Sequence, residues 1–215
     1  MPAVITIDGP AASGKSSIAK LVAKKLGYTF VGTGNMYRAF TWAVLNRGID
    51  PNDASAVVAV LPSIIFECPV SDGQTHVRLD GHDLSADQLN SDAVNAAVSL
   101  VARVPEVRTR LVADQRALIR LGSLVMEGRD IGSVVFPDSP YKIYIDASEE
   151  VRSARRRAQG QADNLAERDR IDKARKSSPL VIPDGATLID NSAITLEEAV
   201  QQVIQSLKAR ELPGL

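Results

Sequence analysis

Eight residues near the start of the chain, Gly9-Pro10-Ala11-Ala12-Ser13-Gly14-Lys15-Ser16, have the types and the spacing to handle phosphate. They fit Gly-x-x-x-x-Gly-Lys-Ser/Thr at every fixed position. In such a run the glycines let the backbone wrap closely, so that successive N–H groups face phosphate oxygens. Lys15 is placed to reach β- and γ-phosphates, and the Ser16 hydroxyl to ligate Mg²⁺. The expected phosphate-binding stretch is Gly9 to Ser16 together with Ser17, with Lys15 as a catalytic cation and Ser16 as a metal ligand.

Arginines are the second chemical signal. A phosphate loop alone does not separate a kinase from a GTPase, a motor or a binding module. Phosphoryl transfer between two nucleotides gathers about six negative charges, so it needs cations from several directions. Arg38, Arg129 and the stretch from Arg155 to Arg175 offer them on three separate segments. The guanine-reading element Asn/Thr-Lys-x-Asp is missing, which counts against a GTPase.

Alternating elements must position these residues. Val4-Ile5-Thr6-Ile7 reads as a short buried strand entering the loop; Ile18, Leu21, Val22 and Leu26 then recur at helical spacing, and Gly27 closes the helix. Tyr28 to Val31 reads as a second strand, Gly32-Thr33-Gly34 as a turn, and about Asn35 to Asn46 as a helix with Arg38 in its first turn. A cation there opposes the helix dipole, so helix stability does not explain it. Asp53 caps a short helix ending near Leu61. From Ser63 to Leu84 the pattern becomes β: Ile64-Ile65-Phe66 and His76-Val77-Arg78-Leu79 are runs, with turn signals at Ser71-Asp72-Gly73 and Asp80-Gly81-His82. This predicts a small antiparallel insertion. Helices follow from Asp92 to about Ala102 and again after Pro105.

Leu124-Val125-Met126-Glu127 is the third strand, and it delivers Arg129 and Asp130 to the end where open α/β sheets place ligands. Tyr141 to Ile145 and Thr187 to Asp190 add two more, with helices starting near Ser148 and running through Leu196, Ala199, Val203 and Leu207. Between them, Gln159 to Ser178 is dense in charge and reads as a basic lid over phosphates. The sum is an α/β fold with a central parallel sheet.

Composition narrows the class. At 215 residues the chain suits one domain with a small insertion. A net charge of −1 and 4% aromatic residues argue against nucleic acid and acidic membranes as partners. Cys68 is the only cysteine, so no intramolecular disulfide or cysteine metal site forms. No targeting segment or membrane-length apolar run is apparent, and a cytoplasmic monomer is expected.

Taken together, these segments resemble the bacterial cytidylate kinases over nearly the whole chain. Besides the phosphate loop, the resemblance rests on Gly34-Asn35-Met36-Tyr37-Arg38, on Val77-Arg78-Leu79-Asp80-Gly81, on Glu127 to Asp138, on Arg168-Asp169 through Arg175, and on Pro179-Leu180. Gly128-Arg129-Asp130-Ile131-Gly132 is its most specific part. The resemblance implies a P-loop three-layer fold with a five-stranded parallel sheet. It also implies a nucleoside-monophosphate-binding insertion at about 33–103 and a short lid at about 157–178, within one domain spanning 1–215. It implies Mg²⁺-dependent transfer of the γ-phosphoryl of ATP to CMP or dCMP. Thr33, Arg108 and Asp130 then read cytosine, and Arg38 and Arg129 clamp the CMP phosphate. Ser99, Arg168 and Asp172 contact the pentose hydroxyls, and Arg175 joins Lys15 and Arg129 as a catalytic cation. No general base is required, because the acceptor phosphate is already an oxyanion.

Two departures from the family pattern stand out. Gly32 replaces an aspartate usual before the Thr/Ser-Gly pair, and the stretch between Arg157 and Arg168 is about ten residues shorter than the usual lid. Alternatives are a kinase for UMP, AMP or shikimate on the same fold, or a nucleotide-binding module without turnover.

Overall fold

The computed structural model describes residues 2–158, 169–172, 174 and 178–215. In chain order the first elements are β1 (Val4–Asp8), α1 (Lys15–Leu26), β2 (Thr29–Gly32), α2 (Thr33–Asn46) and α3 (Ala54–Val60). Five two-residue strands follow: β3 (Phe66–Glu67), β4 (Val70–Ser71), β5 (Gln74–Thr75), β6 (Arg78–Leu79) and β7 (His82–Asp83). Then come α4 (Ala86–Leu89), α5 (Asp92–Val101), α6 (Pro105–Ala117) and β8 (Leu124–Gly128). The chain finishes with β9 (Tyr141–Asp146), α7 (Glu149–Ala158), β10 (Thr187–Asp190) and α8 (Leu196–Ala209).

The main sheet runs in the order β10-β9-β1-β8-β2-β5-β4. Its first five strands are parallel, as the alternation of strands and helices predicts. β1 lies between β8 and β9, so the phosphate loop that follows it emerges at the centre of the sheet's carboxyl edge. Side-chain alternation splits the core in two. Val4, Leu124 and Met126 face Met36 and Phe40 of α2 and Leu111 of α6. Ile5, Ile7, Val125, Ile143 and Ile145 face Ile18 and Val22 of α1 and Val203 and Leu207 of α8. Each layer is fully buried, which fits strands apolar on both faces.

The β stretch after α3 is divided between two sheets. β3, β6 and β7 form an antiparallel sheet of their own. The β4–β5 hairpin instead joins the main sheet, where Gln74 pairs in parallel with Phe30 of β2. The turn expected at Gly32-Thr33-Gly34 is a correction: α2 already begins at Thr33, with Gly32 in extended backbone as its cap. Thr33 Oγ1 donates to the Glu127 carbonyl at 2.9 Å, which ties the first helical residue to β8. Arg38 is consequently in the second turn of α2 rather than the first.

Candidate active site

One wall of the site is the loop between β1 and α1. Gly9 has φ 153°, and a Cβ there would lie 2.0 Å from the Ile145 carbonyl oxygen, so no other residue passes β9 along this path. Gly14 (φ 93°) caps α1 in the left-handed region, and a Cβ on it would meet Asn191 Nδ2 at 2.5 Å. The loop is braced from behind through its carbonyls. Arg152 Nη1 donates to Ala11 O at 3.2 Å, and Arg155 Nη1 and Asn191 Nδ2 donate to Ser13 O at 3.0 and 2.8 Å. Lys15 Nζ donates to Pro10 O at 2.9 Å. In a trans peptide the N–H opposes the carbonyl, so carbonyls held outward turn the following N–H groups toward the cleft. The positive end of α1 adds to that potential.

Arg152 itself is buried, and its charge is answered by Asp169. Arg152 and Arg155 of α7 thus serve the loop's shape. Sequence reading takes Arg155 only as the start of a basic stretch and gives Arg152 no role, because nothing in their spacing reveals that they face loop carbonyls.

The opposite wall comes from five elements. β8 ends at Gly128, where a Cβ would lie 2.6 Å from Thr33 Oγ1, and this close approach packs α2 onto the strand. Arg129 and Asp130 follow. Arg129 Nε donates to Asp172 Oδ2 at 3.0 Å. Burial works against the Arg129 charge, but Asp172 and Glu127 outweigh it and hold its pKa above the ordinary arginine value. Asp130 Oδ2 accepts from Arg108 Nη2 of α6 at 2.5 Å, with both side chains buried. Arg108 also donates to Ala102 O at 3.2 Å and lies over the Tyr37 ring, 5.3 Å from its centroid. Burial opposes its charge too, and Asp130 and Tyr37 more than restore it. Arg38 Nη1 donates to Asn95 Oδ1 of α5 at 2.8 Å and to Leu89 O of α4 at 3.0 Å. α4 and α5 therefore aim Arg38.

The two walls meet in one cavity of about 490 Å³. Lys15, Ser16, Ser17, Thr33, Arg38, Ser99, Arg108, Arg129, Asp130 and Asp172 all line it, as do Ala11, Ala12 and Gly14 of the loop. Gly9, Pro10 and Ser13 sit behind the lining, where Ser13 is fully buried. Arg168 and Arg175 lie outside the described residues. Asn191, Tyr37 and Glu127 line the cavity without having been singled out from sequence as site residues, and Arg155 lines it after being read only as the start of a basic stretch.

Glu127 bears on whether the site could hold a metal. Its Oε1 accepts from Ser16 Oγ at 3.0 Å across 111 residues of chain. A hydroxyl and a buried carboxylate side by side are hard oxygen donors, and Mg²⁺ is commonly held by one or two protein oxygens plus phosphates. The donor set fits Mg²⁺. Among the described residues no cluster of three or more His, Cys, Asp or Glu forms a self-sufficient metal site. Among them, too, no helix is long and apolar enough to cross a membrane.

Known proteins share both the sequence and the fold. The family model for cytidylate kinase matches residues 5–209. A cytidylate kinase of Pelotomaculum thermopropionicum is 42% identical, covering 95% of this chain and 96% of its own. One from Mycolicibacterium paratuberculosis is 41% identical, covering 96% of each. Among solved structures, a sugar kinase from Janibacter shares the fold at a TM-score of 0.51 and 15% identity, covering 97% of this chain and 95% of its own. A gluconokinase from Sinorhizobium meliloti does so at 0.51 and 15%, covering 97% and 93%.

Proposed function

The chain belongs to the cytidylate kinase family, and on that premise we propose that it moves the γ-phosphoryl group of ATP to CMP or dCMP, giving ADP and CDP or dCDP. The observation that carries this reading is the convergence of a phosphate loop and an arginine-lined, carboxylate-bearing wall on one cavity. Its size suits substrate-scale ligands.

The roles proposed are those the family resemblance implies, and the cavity lining supports them for the described residues. ATP phosphates take the N–H groups of the loop from Gly9 to Ser17, with Lys15 reaching the transferred group. Ser16, with Glu127 beside it, would hold Mg²⁺, which would supply charge neutralisation on the donor phosphates. Arg38 and Arg129 clamp the acceptor phosphate. Asp130 accepts from the cytosine amino group, Arg108 serves the ring acceptors, and Thr33 joins it only by turning its hydroxyl proton from the Glu127 carbonyl to the base. Ser99 and Asp172 take the pentose hydroxyls, together with Arg168, and Arg175 completes the cation set. In this reading residues at about 33–103 form the acceptor-binding insertion and those at about 157–178 the lid.

The acceptor phosphate attacks as an oxyanion, so the protein needs no base. Its contribution is alignment and charge neutralisation. Prior pairing serves this. Asn95 and Leu89 hold Arg38, and Asp172 holds Arg129, so neither guanidinium must be ordered when substrate arrives.

The test is ADP formation with ATP and Mg²⁺ against CMP, dCMP, UMP, AMP and no acceptor. Turnover concentrated on CMP and dCMP is expected. Preference for UMP or AMP removes the base-reading roles. ATP binding without acceptor-dependent turnover leaves a binding module.

A further inference from the structure

Asp8 is the last residue of β1, stands directly before the phosphate loop and is fully buried. Its carboxylate does not point into the loop. Oδ1 accepts from the Ile131 N–H and Oδ2 from the Gly132 N–H, both at 2.7 Å. Those amides open the single π-helical turn at Ile131–Val135, so they belong to the donors that a helix start leaves unpaired. A serine or asparagine in local sequence usually supplies such a cap. Here it comes from another strand, more than 120 residues away, and it is a group that accepts at both ends.

What this capping controls is one peptide plane. The Ile131 N–H shares its plane with the Asp130 carbonyl. The other end of the plane is held as well, since Asp130 O accepts from Val134 N at 2.9 Å and Val135 N at 3.2 Å. The Asp130 ψ of 24° is thereby pinned from both sides. Arg129 and Asp130 directly precede the pinned turn, and their side chains meet Asp172 and Arg108. Gly132 makes the approach possible: a Cβ there would lie 2.7 Å from Thr6 Oγ1 and 3.2 Å from Asp8 Oδ2.

We infer that Asp8 is a positioning residue for the acceptor nucleotide, holding Asp130 and Arg129 in register through the Ile131 and Gly132 amides. It acts through those residues and touches neither substrate. The assignment rests on CMP being the acceptor. It also makes the strand that launches the ATP loop responsible for base selection on the opposite wall.

Asp8→Asn keeps the shape, but its amide nitrogen faces a backbone N–H, so only one of the two bonds survives. The measurements are kcat and KM for CMP and for UMP, and the ATP Kd without acceptor. Expected for the variant is a CMP kcat/KM lower by roughly 30-fold or more, a CMP-to-UMP preference reduced about tenfold, and an ATP Kd within about threefold of wild type. Gly132→Ala, which crowds the same junction while leaving the carboxylate intact, should reproduce that pattern and serves where Asp8→Asn does not fold. An unchanged CMP-to-UMP preference, or an ATP Kd weakened as much as the CMP kcat/KM, overturns the assignment. A wild type without CMP preference overturns the functional reading and this inference together, whereas preference retained in both variants overturns the inference alone.

Discussion

The two walls of the cavity are built by different means. The loop wall comes from one short run of chain, and it is braced by side chains donating to backbone carbonyls at Ala11 and Ser13. The facing wall is an assembly of side chains from α2, α5, α6, the end of β8 and Asp172, held by ion pairs such as Arg108–Asp130 and Arg129–Asp172. The first wall presents backbone N–H groups, which any phosphate satisfies. The second presents charged side chains in fixed pairs, which under the proposed function would discriminate among acceptors. On that reading, generic donor binding and specific acceptor binding should be separable by mutation.

The largest effect should come from the loop side. Lys15→Ala is expected to lower kcat on the order of 10³-fold, read as ADP release at saturating CMP. Arg129→Ala should cost about 10²-fold in kcat and leave ATP affinity within about threefold, which sharpens the division between walls. A kcat within about threefold of wild type would remove Arg129 from the transfer step.

Asp130→Asn tests the discriminating pair. It leaves a buried guanidinium without its carboxylate, so about 3 kcal/mol of stability should be lost along with CMP selectivity. Chemical denaturation and a CMP-to-UMP comparison read the two consequences separately. Glu127→Gln removes the charge beside Ser16, and the Mg²⁺ concentration for half-maximal rate should rise about tenfold. An unmoved Mg²⁺ response would take Glu127 out of the metal environment.

The last effect is read in degrees rather than decades of rate. Burial pushes the Asp8 carboxyl up from 3.8 to about 7, against the pull of the Gly132 and Ile131 amides. Between those values the folded protein holds a proton that the unfolded chain releases. Stability from this group thus falls as pH rises through that window and is lowest above it. From pH 5 to pH 8 wild type should lose about 5 °C of Tm relative to Asp8→Asn. A constant difference between the two proteins would show that Asp8 does not titrate there.

Legibility follows the same division. The loop could be read because its chemistry is local: the spacing of Gly9, Gly14, Lys15 and Ser16 is the structure. The five parallel strands and most helices were legible from periodicity, since each buries a face that its own residues declare. The start of α2 was misplaced because Gly32 and Gly34 read as turn residues, while a tertiary bond from Thr33 to β8 extends the helix back to Thr33. The division of the insertion was invisible because two-residue strands carry too little pattern to name a partner.

Residue types and spacing alone determined that this chain makes an α/β fold with a phosphate-handling loop. Resemblance of segments such as Gly128-Arg129-Asp130 to a known family pointed to its acceptor. Only the tertiary structure decided what holds those residues in aim. Arg152 and Arg155 reach back to the loop, Glu127 reaches Ser16, and Asp8 caps a turn more than 120 residues away. The physical reason is that burial and hydrogen-bond satisfaction belong to packed elements, and separation along the chain says nothing about which elements pack together.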